Sequence, residues 1–201
     1  MNKEDSYKNL LEKTYLEVVD FLLEKYGPAV DSYYSEVSYN RFKRGEIKAP
    51  TKRKISRTSE GLYCHHIDED KQILISNARA IVDFNIPFEY QTKDRLVYCD
   101  LVEHAILHIL IAIEDKNKID KLNNMQLGIE GYTFYIRPQI INWLVKEERP
   151  NIQWQVNCFN KIYMDKNTSE EFVQHLDDFL ISRYPITQEE IDITYQKSLI
   201  Y

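Results

Sequence analysis

At 201 residues, 43% hydrophobic and 29% charged, the chain is long enough to bury a core and too apolar for a disordered polymer. Scarce Gly (5) and Pro (6) beside abundant Tyr (15) point to helix-rich structure with few tight turns. A net charge of −6 opposes nucleic-acid binding across the whole surface. No apolar run approaches the roughly 20 residues of a membrane span, and the start MNKEDSYKNL has no signal-like apolar stretch, so a cytoplasmic protein with no membrane partner is expected.

Residues 3–26 repeat apolar side chains at helical intervals through Leu10, Leu11, Tyr15, Val18, Val19, Leu22 and Leu23, which predicts one amphipathic helix stopped by Gly27 and Pro28. A second, tyrosine-rich helical stretch covers 29–44. Thr51 to Glu60 reads as an extended, exposed basic arm. GLYCHHI is expected as the first strand of a hairpin and QILISN, Gln72 to Asn77, as the second, joined by the acidic turn DEDK. Asp68 and Asp70 serve that turn; the alternative is that they add oxygen ligands to a metal.

ARAIVDFN predicts one or two helical turns, and LVYC a strand or bend. Asp100, with Glu103 three positions on, forms a capping box for the helix LVEHAILHILIAIEDK, which is apolar on several faces and must be buried. Glu103 lies off the face shared by His104 and His108. After Lys116 the chain loosens, with turns at Gly128 and Gly131, until Pro138 opens a helix closed by Pro150. IQWQVNCFNKIYM fits either period. Thr168 or Ser169 caps a clear helix, and residues from Ile186 on form a last one.

Charge and histidine are both unevenly placed. Arg41 to Arg57 holds eight basic residues and one acid, a local +7 on an otherwise acidic body, which suits a protein that grips phosphates at one place; the alternative is a solvated linker whose Lys and Arg do nothing specific. Four of the five histidines fall between residues 65 and 108, as the adjacent pair His65 and His66 and the pair His104 and His108. Two imidazoles at i and i+4 lie one turn apart on a helix face and reach one ion. Together the pairs supply three nitrogen ligands and one spare imidazole, a minimal kit for hydrolysis with a histidine base. Cys64, Cys99 and Cys158, with no CxxC spacing, provide neither a disulfide framework nor a four-cysteine zinc knuckle. Cys64 and Cys99 read as buried small hydrophobes, with an extra metal ligand as the alternative.

The HH pair followed by HxxxH resembles the HNH (His-Me finger, ββα-metal) nucleases, nearest to the nuclease-colicin branch. The resemblance covers about fifty residues. It implies an α+β fold with a ββα-metal core over 51–118, to which the periodicity of the flanks adds a helical extension over 1–50 and a helical region over 119–201. It also implies one divalent ion (Mg, Mn, Ni or Zn) on His65, His104 and His108, with His66 as general base, acting on DNA before RNA. Where the family has its middle Asn this chain has Arg95; Asp94, Asn85 or Asn77 are alternative braces for the loop. Arg95 and Arg57 are expected to neutralise phosphate, with Arg53 and Lys54 of the basic arm beside them. The alternative function is an HNH-like binder that does not cut, an inhibitor or accessory factor of a mobile element or phage, directed at a protein or nucleic-acid partner.

Overall fold

Eleven of the fourteen residues of α5 (Leu101–Glu114) are buried, because its apolar side chains occupy every face but a narrow polar one. The other elements pack around it. The computed structural model describes residues 3–114 and 126–200. The expected helix end at Asp115 and Lys116, and the loose stretch 117–125, lie outside the described residues.

The helix expected over 3–26 is two helices, α1 (Lys3–Leu11) and α2 (Tyr15–Tyr26). Thr14 and Glu17 form a capping box: the Thr14 N–H donates to Glu17 Oε2 (2.8 Å) and the Glu17 N–H to Thr14 Oγ1 (3.3 Å). These bonds satisfy amide donors at the start of α2, so breaking the helix there costs little. Tyr7, Leu10 and Leu11 of α1 and Val18, Val19 and Leu22 of α2 join α5 in the main core. Helix α3 (Glu36–Lys43) is shorter than expected, because Tyr34 leaves the helical path to bridge Lys52. That bridge also corrects the picture of an exposed, extended arm. The Arg53 N–H donates to Tyr33 O (2.9 Å), Ile55 is buried, and Thr58–Glu60 is a 3-10 turn.

Strand β1 (Tyr63–His66) forms as expected, but its partner is not Gln72–Asn77. It pairs antiparallel with β2 (Leu96–Cys99), His65 opposite Val97 and Tyr63 opposite Cys99. Ile67–Asp70 coils into a 3-10 helix and Leu74 takes φ +56, so the QILISN stretch cannot run extended. Its Ile75 is instead buried with Tyr39, Ile81 and Ile86 in a second, smaller core. Asn77 then caps the short α4 (Ala78–Asp83), its side chain accepting from the Ala80 N–H (3.0 Å).

Alternation along the two strands sends Val97 and Cys99 into the main core around α5, and Leu96 and Tyr98 into a third cluster with Ala29, Ile55 and Leu62. Strand β2 turns into α5 through the expected capping box. Asp100 Oδ1 accepts from the Val102 and Glu103 N–H groups (2.9 Å each), and Glu103 Oε2 accepts from the Asp100 N–H (2.8 Å). Glu103 also takes the Lys25 ammonium at 2.6 Å, away from the histidines.

The helix expected from Pro138 begins earlier. A π-helical segment, Gly131–Ile136, leads into α6 (Arg137–Ile140) and a second π segment, Ile141–Val145. The ambiguous stretch is helix α7 (Gln153–Ile162). Helix α8 (Lys166–Ile181) is capped by Asp165, not by Thr168 or Ser169: Asp165 Oδ1 accepts from the Thr168 N–H (3.1 Å). Helix α9 (Gln188–Ser198) closes the described chain with a Thr187–Glu190 capping box. The fold is α+β, mostly helical, with one small two-stranded antiparallel sheet. Among the described residues no helix is long and apolar enough to cross a membrane.

A buried ion pair fastens the C-terminal half. Arg137 and Asp177 have side chains 6% and 1% exposed, joined at 2.6–2.9 Å, and Tyr132 donates its hydroxyl proton to the same carboxylate (2.7 Å). Removing Asp177 leaves the buried Arg137 guanidinium with the exposed Asp192 carboxylate at 3.3 Å in place of its buried partner. Asp177→Ala is therefore expected to lower unfolding free energy by about 3–5 kcal/mol in urea denaturation; a loss below about 1 kcal/mol contradicts this reading of the pair.

Candidate metal centre

Because successive side chains of a strand face opposite ways, His65 and His66 part company at β1. His65 turns toward α5 and is fully buried, its ring 5.1 Å from that of His104 and 5.3 Å from that of His108. The 3-10 helix that follows β1 brings in a fourth group, Glu69. One ligand atom from each of His65, Glu69, His104 and His108 lies within 4.8 Å of all the others.

The separations suit a cation. His104 Nε2 and His108 Nε2 are 3.3 Å apart, and His108 Nε2 is 3.3 Å from Glu69 Oε2. His65 Nδ1 is 3.7 Å from the same oxygen. For ligand bonds of about 2.0–2.1 Å around a tetrahedral ion, neighbouring donor atoms stand about 3.3–3.4 Å apart.

Hydrogen bonding fixes which nitrogen of His65 faces the others. The single proton of the Tyr15 hydroxyl goes to Ile67 O (2.7 Å), so at 2.9 Å His65 Nε2 must donate to Tyr15 Oη. Nδ1 is then a bare acceptor, buried and without a hydrogen-bond partner. An orphaned lone pair in the interior is costly, and a bound cation relieves the cost. Electrostatics run the same way. Burial, then the neighbouring imidazoles, lowers the His65 and His104 pKa values well below the ordinary range, and burial brings His108 to about 4. Burial raises Glu69 to about 8. Three neutral imidazoles and a carboxyl that meet within 4.8 Å of one another are the donor set of a divalent metal. The residues present therefore fit the metal that the HH and HxxxH pairs call for.

His66 stands beside this set on the other side of the strand. It is 2% exposed, packs on Tyr33 with ring centres 4.7 Å apart, and has its Nε2 3.2 Å from Gln91 Oε1. The fully buried Gln91 spends an amide hydrogen on Ile75 O (2.8 Å), which directs its Oε1 at His66. His66 thus donates through Nε2 and keeps Nδ1 bare, 3.9 Å from Glu69 Oε1. Burial lowers its pKa to about 4 against the opposing effect of the hydrogen bond that it donates to Gln91, so the ring is neutral at neutral pH. A cavity of about 350 Å³ opens over Glu69, His66, His104 and His108, walled on the far side by Gly128, Gly131 and Tyr135. Gly131 is required there: a Cβ on it would lie 2.2 Å from His108 Nδ1.

The remaining expected residues are placed as follows. Arg95 donates to both oxygens of Asp68, from Nε at 2.6 Å and from Nη2, which braces the 3-10 helix carrying Glu69. Asp68 also takes Lys71 at 2.7 Å. Asp68 and Asp70 stand outside the four-residue group, as do Cys64 and Cys99. Arg57 is held by Glu60 (2.5 Å) and by Tyr26 O (2.6 Å), and Arg53 by Asp31 (2.7 Å). Lys54 is exposed. Four participants escaped the sequence reading: Glu69, Gln91, Tyr15 and Lys52. Only Glu69 carried a local signal, its place four residues after His65. Lys52 meets the site through Tyr33, its ammonium 2.9 Å from the hydroxyl and 4.4 Å from the centre of the ring that packs on His66.

Compared with known proteins, the chain matches no family model, no curated protein and no solved structure.

Outer hydrogen bonds to ligating histidines commonly carry 10–100-fold in metal affinity. Tyr15→Phe, which frees His65 to rotate or change tautomer, is expected to weaken Zn²⁺ binding by roughly that factor in calorimetric titration, at unchanged stoichiometry. An unchanged affinity removes Tyr15 from the centre.

Proposed function

We propose that the protein is a metal-dependent endonuclease of the HNH type, hydrolysing phosphodiester bonds of DNA. The observation that carries this reading is the pairing of a four-donor centre with a separate imidazole on one cavity: His65, Glu69, His104 and His108 converge, while His66 lines the same space and is held by its own partner, Gln91. A purely structural metal needs no such neighbour.

His66 is the proton acceptor in this account. With Nε2–H fixed on Gln91, the bare Nδ1 takes a proton from water as the water oxygen bonds to phosphorus. The bond from phosphorus to the 3′ oxygen breaks, and that oxygen leaves with a proton from solvent, giving 5′-phosphate and 3′-hydroxyl ends. His65, Glu69, His104 and His108 would hold a divalent ion, which would supply Lewis-acid charge to the phosphate on expanding beyond four ligands. Arg95 holds the 3-10 helix so that Glu69 meets the histidines. Lys52, beside His66 through Tyr33, is better placed to meet a substrate phosphate than Arg57 or Arg53, whose guanidinium groups are occupied by Glu60 and Asp31.

One observation favours a second reading, an HNH-like protein that binds without cutting. The cations expected to face phosphate at Arg53, Arg57 and Arg95 are neutralised within the chain, on a body of net charge −6. Such a surface suits a basic protein partner.

Plasmid incubated with the protein and Mg²⁺, Mn²⁺, Ni²⁺ or Zn²⁺, with EDTA as control, separates the two. The nuclease reading expects metal-dependent nicking that is lost in His66→Ala at unchanged metal content, and lost together with metal in His104→Ala. Absence of nicking with every metal leaves the binder. Nicking that survives His66→Ala removes His66 as the base.

A further inference from the structure

Next to the metal cavity lies a larger open groove of about 850 Å³ whose walls are aromatic. Trp154 and Tyr135 stand 41% and 61% exposed at its rim. Tyr135 lines both cavities. The two are also joined beneath the surface. Trp154 meets Tyr63 edge-on (6.5 Å between centres), and Tyr63 stacks on His104 (6.1 Å, 28°).

The polar groups of the groove are carboxamides. Gln139 donates through Nε2 to the Tyr63 hydroxyl (3.0 Å), and Asn142 accepts the Tyr195 hydroxyl proton on Oδ1 (3.0 Å). Each amide is thereby oriented and keeps its other end, an acceptor on Gln139 and a donor on Asn142, for a ligand. None of the described residues lining the groove is Lys or Arg, and one, Glu148, is acidic. Phosphate is disfavoured by that lining. Exposed aromatic planes beside oriented amides are the chemistry that takes a flat heteroaromatic ring, by stacking on its face and hydrogen bonding at its edge.

The segment that carries Tyr135 is π-helical, Gly131–Ile136, a form that recurs at functional sites. Its first residue, Gly131, lies against His108, so the backbone that shapes the groove is the backbone that walls the metal centre.

We infer that this groove is a nucleobase subsite: it receives an unpaired base of a nucleic-acid strand adjoining the phosphate at the His65–His104–His108 centre, stacked on Trp154 and Tyr135. The assignment rests on the nuclease reading for the position of the phosphate, but not for the groove's own chemistry. It names single-stranded or locally unpaired nucleic acid as the substrate class, since a base held in a duplex presents no free face to Trp154.

The test uses the full chain carrying His66→Ala, loaded with Zn²⁺, and a twelve-nucleotide single-stranded DNA, with tryptophan emission as the readout. Both tryptophans, Trp143 and Trp154, line the groove, so quenching reports on its occupation. The strand is expected to quench emission, an abasic strand of the same length to bind about tenfold more weakly, and Trp154→Ala or Tyr135→Ala in the same background to lose about tenfold in affinity, read by anisotropy of a labelled strand. The blunt duplex is expected to compete poorly. Equal binding of abasic and ordinary strands, equal binding of duplex, or unchanged affinity in both aromatic variants overturns the subsite. Metal-dependent nicking by the wild-type chain with no quenching of its His66→Ala variant removes the groove and leaves the nuclease; quenching of that variant where the wild-type chain nicks nothing keeps the groove and removes the nuclease.

Discussion

Antiparallel pairing of Tyr63–His66 with Leu96–Cys99 is the constraint on which the centre depends. Because β2 enters α5 after the single residue Asp100, the register that sets His65 opposite Val97 also sets it against the helix face bearing His104 and His108. A slip of one residue would turn His65 to the Gln91 side and His66 to the helix, exchanging the two imidazoles. The register is held on both faces by burial, with Val97 and Cys99 in the main core and Leu96 and Tyr98 against Ile55 and Leu62. It is held at the corner by the Asp100–Glu103 capping box.

Around that frame the interior is polar where interiors are normally apolar. His65, His66 and Gln91 are 2% exposed or less, and each has its hydrogen-bonding role fixed by a neighbour: Tyr15 for His65, Gln91 for His66, Ile75 O for Gln91. Both imidazoles consequently carry the proton on Nε2 and present a bare Nδ1 toward the Glu69 carboxyl, at 3.7 and 3.9 Å. The N-terminal helices are part of this arrangement, since Tyr15 begins α2 and α2 packs against α5. Arg95 contributes from the other side by pinning Asp68, one residue before Glu69.

Those parts of the fold and site that rest on local pattern were legible in the sequence. The buried helix α5, its cap, strand β1 and the pairing of His104 with His108 on one helix face follow from periodicity, capping chemistry and spacing, while the choice of His65 over His66 as their companion was implied by the resemblance. What escaped rests on pairing between distant segments. QILISN has the composition of a strand, yet Ile75 is claimed by the aromatic cluster of Tyr39 and Ile86, and β1 finds its partner after residues 67–95 have crossed over. Gln91 and Lys52 have no spacing relation to His66 that would single them out; the packing of Tyr33 and Ile75 places them. Thr14 and Glu17 spelled the capping box that divides the first helix, but the apolar period runs through the break and masks it. The basic arm misled for an electrostatic reason: a run of like charge gives no sign of the distant Asp31 and nearby Glu60 that neutralise it.

Every element of this account converges on one ion position, and anomalous diffraction locates an ion directly. Crystals grown with Zn²⁺ and measured at the zinc edge are expected to show one strong peak about 2.0–2.2 Å from His65 Nδ1, His104 Nε2, His108 Nε2 and a Glu69 oxygen, with His66 unligated and still on Gln91. A peak elsewhere, or none at full zinc loading, contradicts the centre and with it the catalytic reading built on His66.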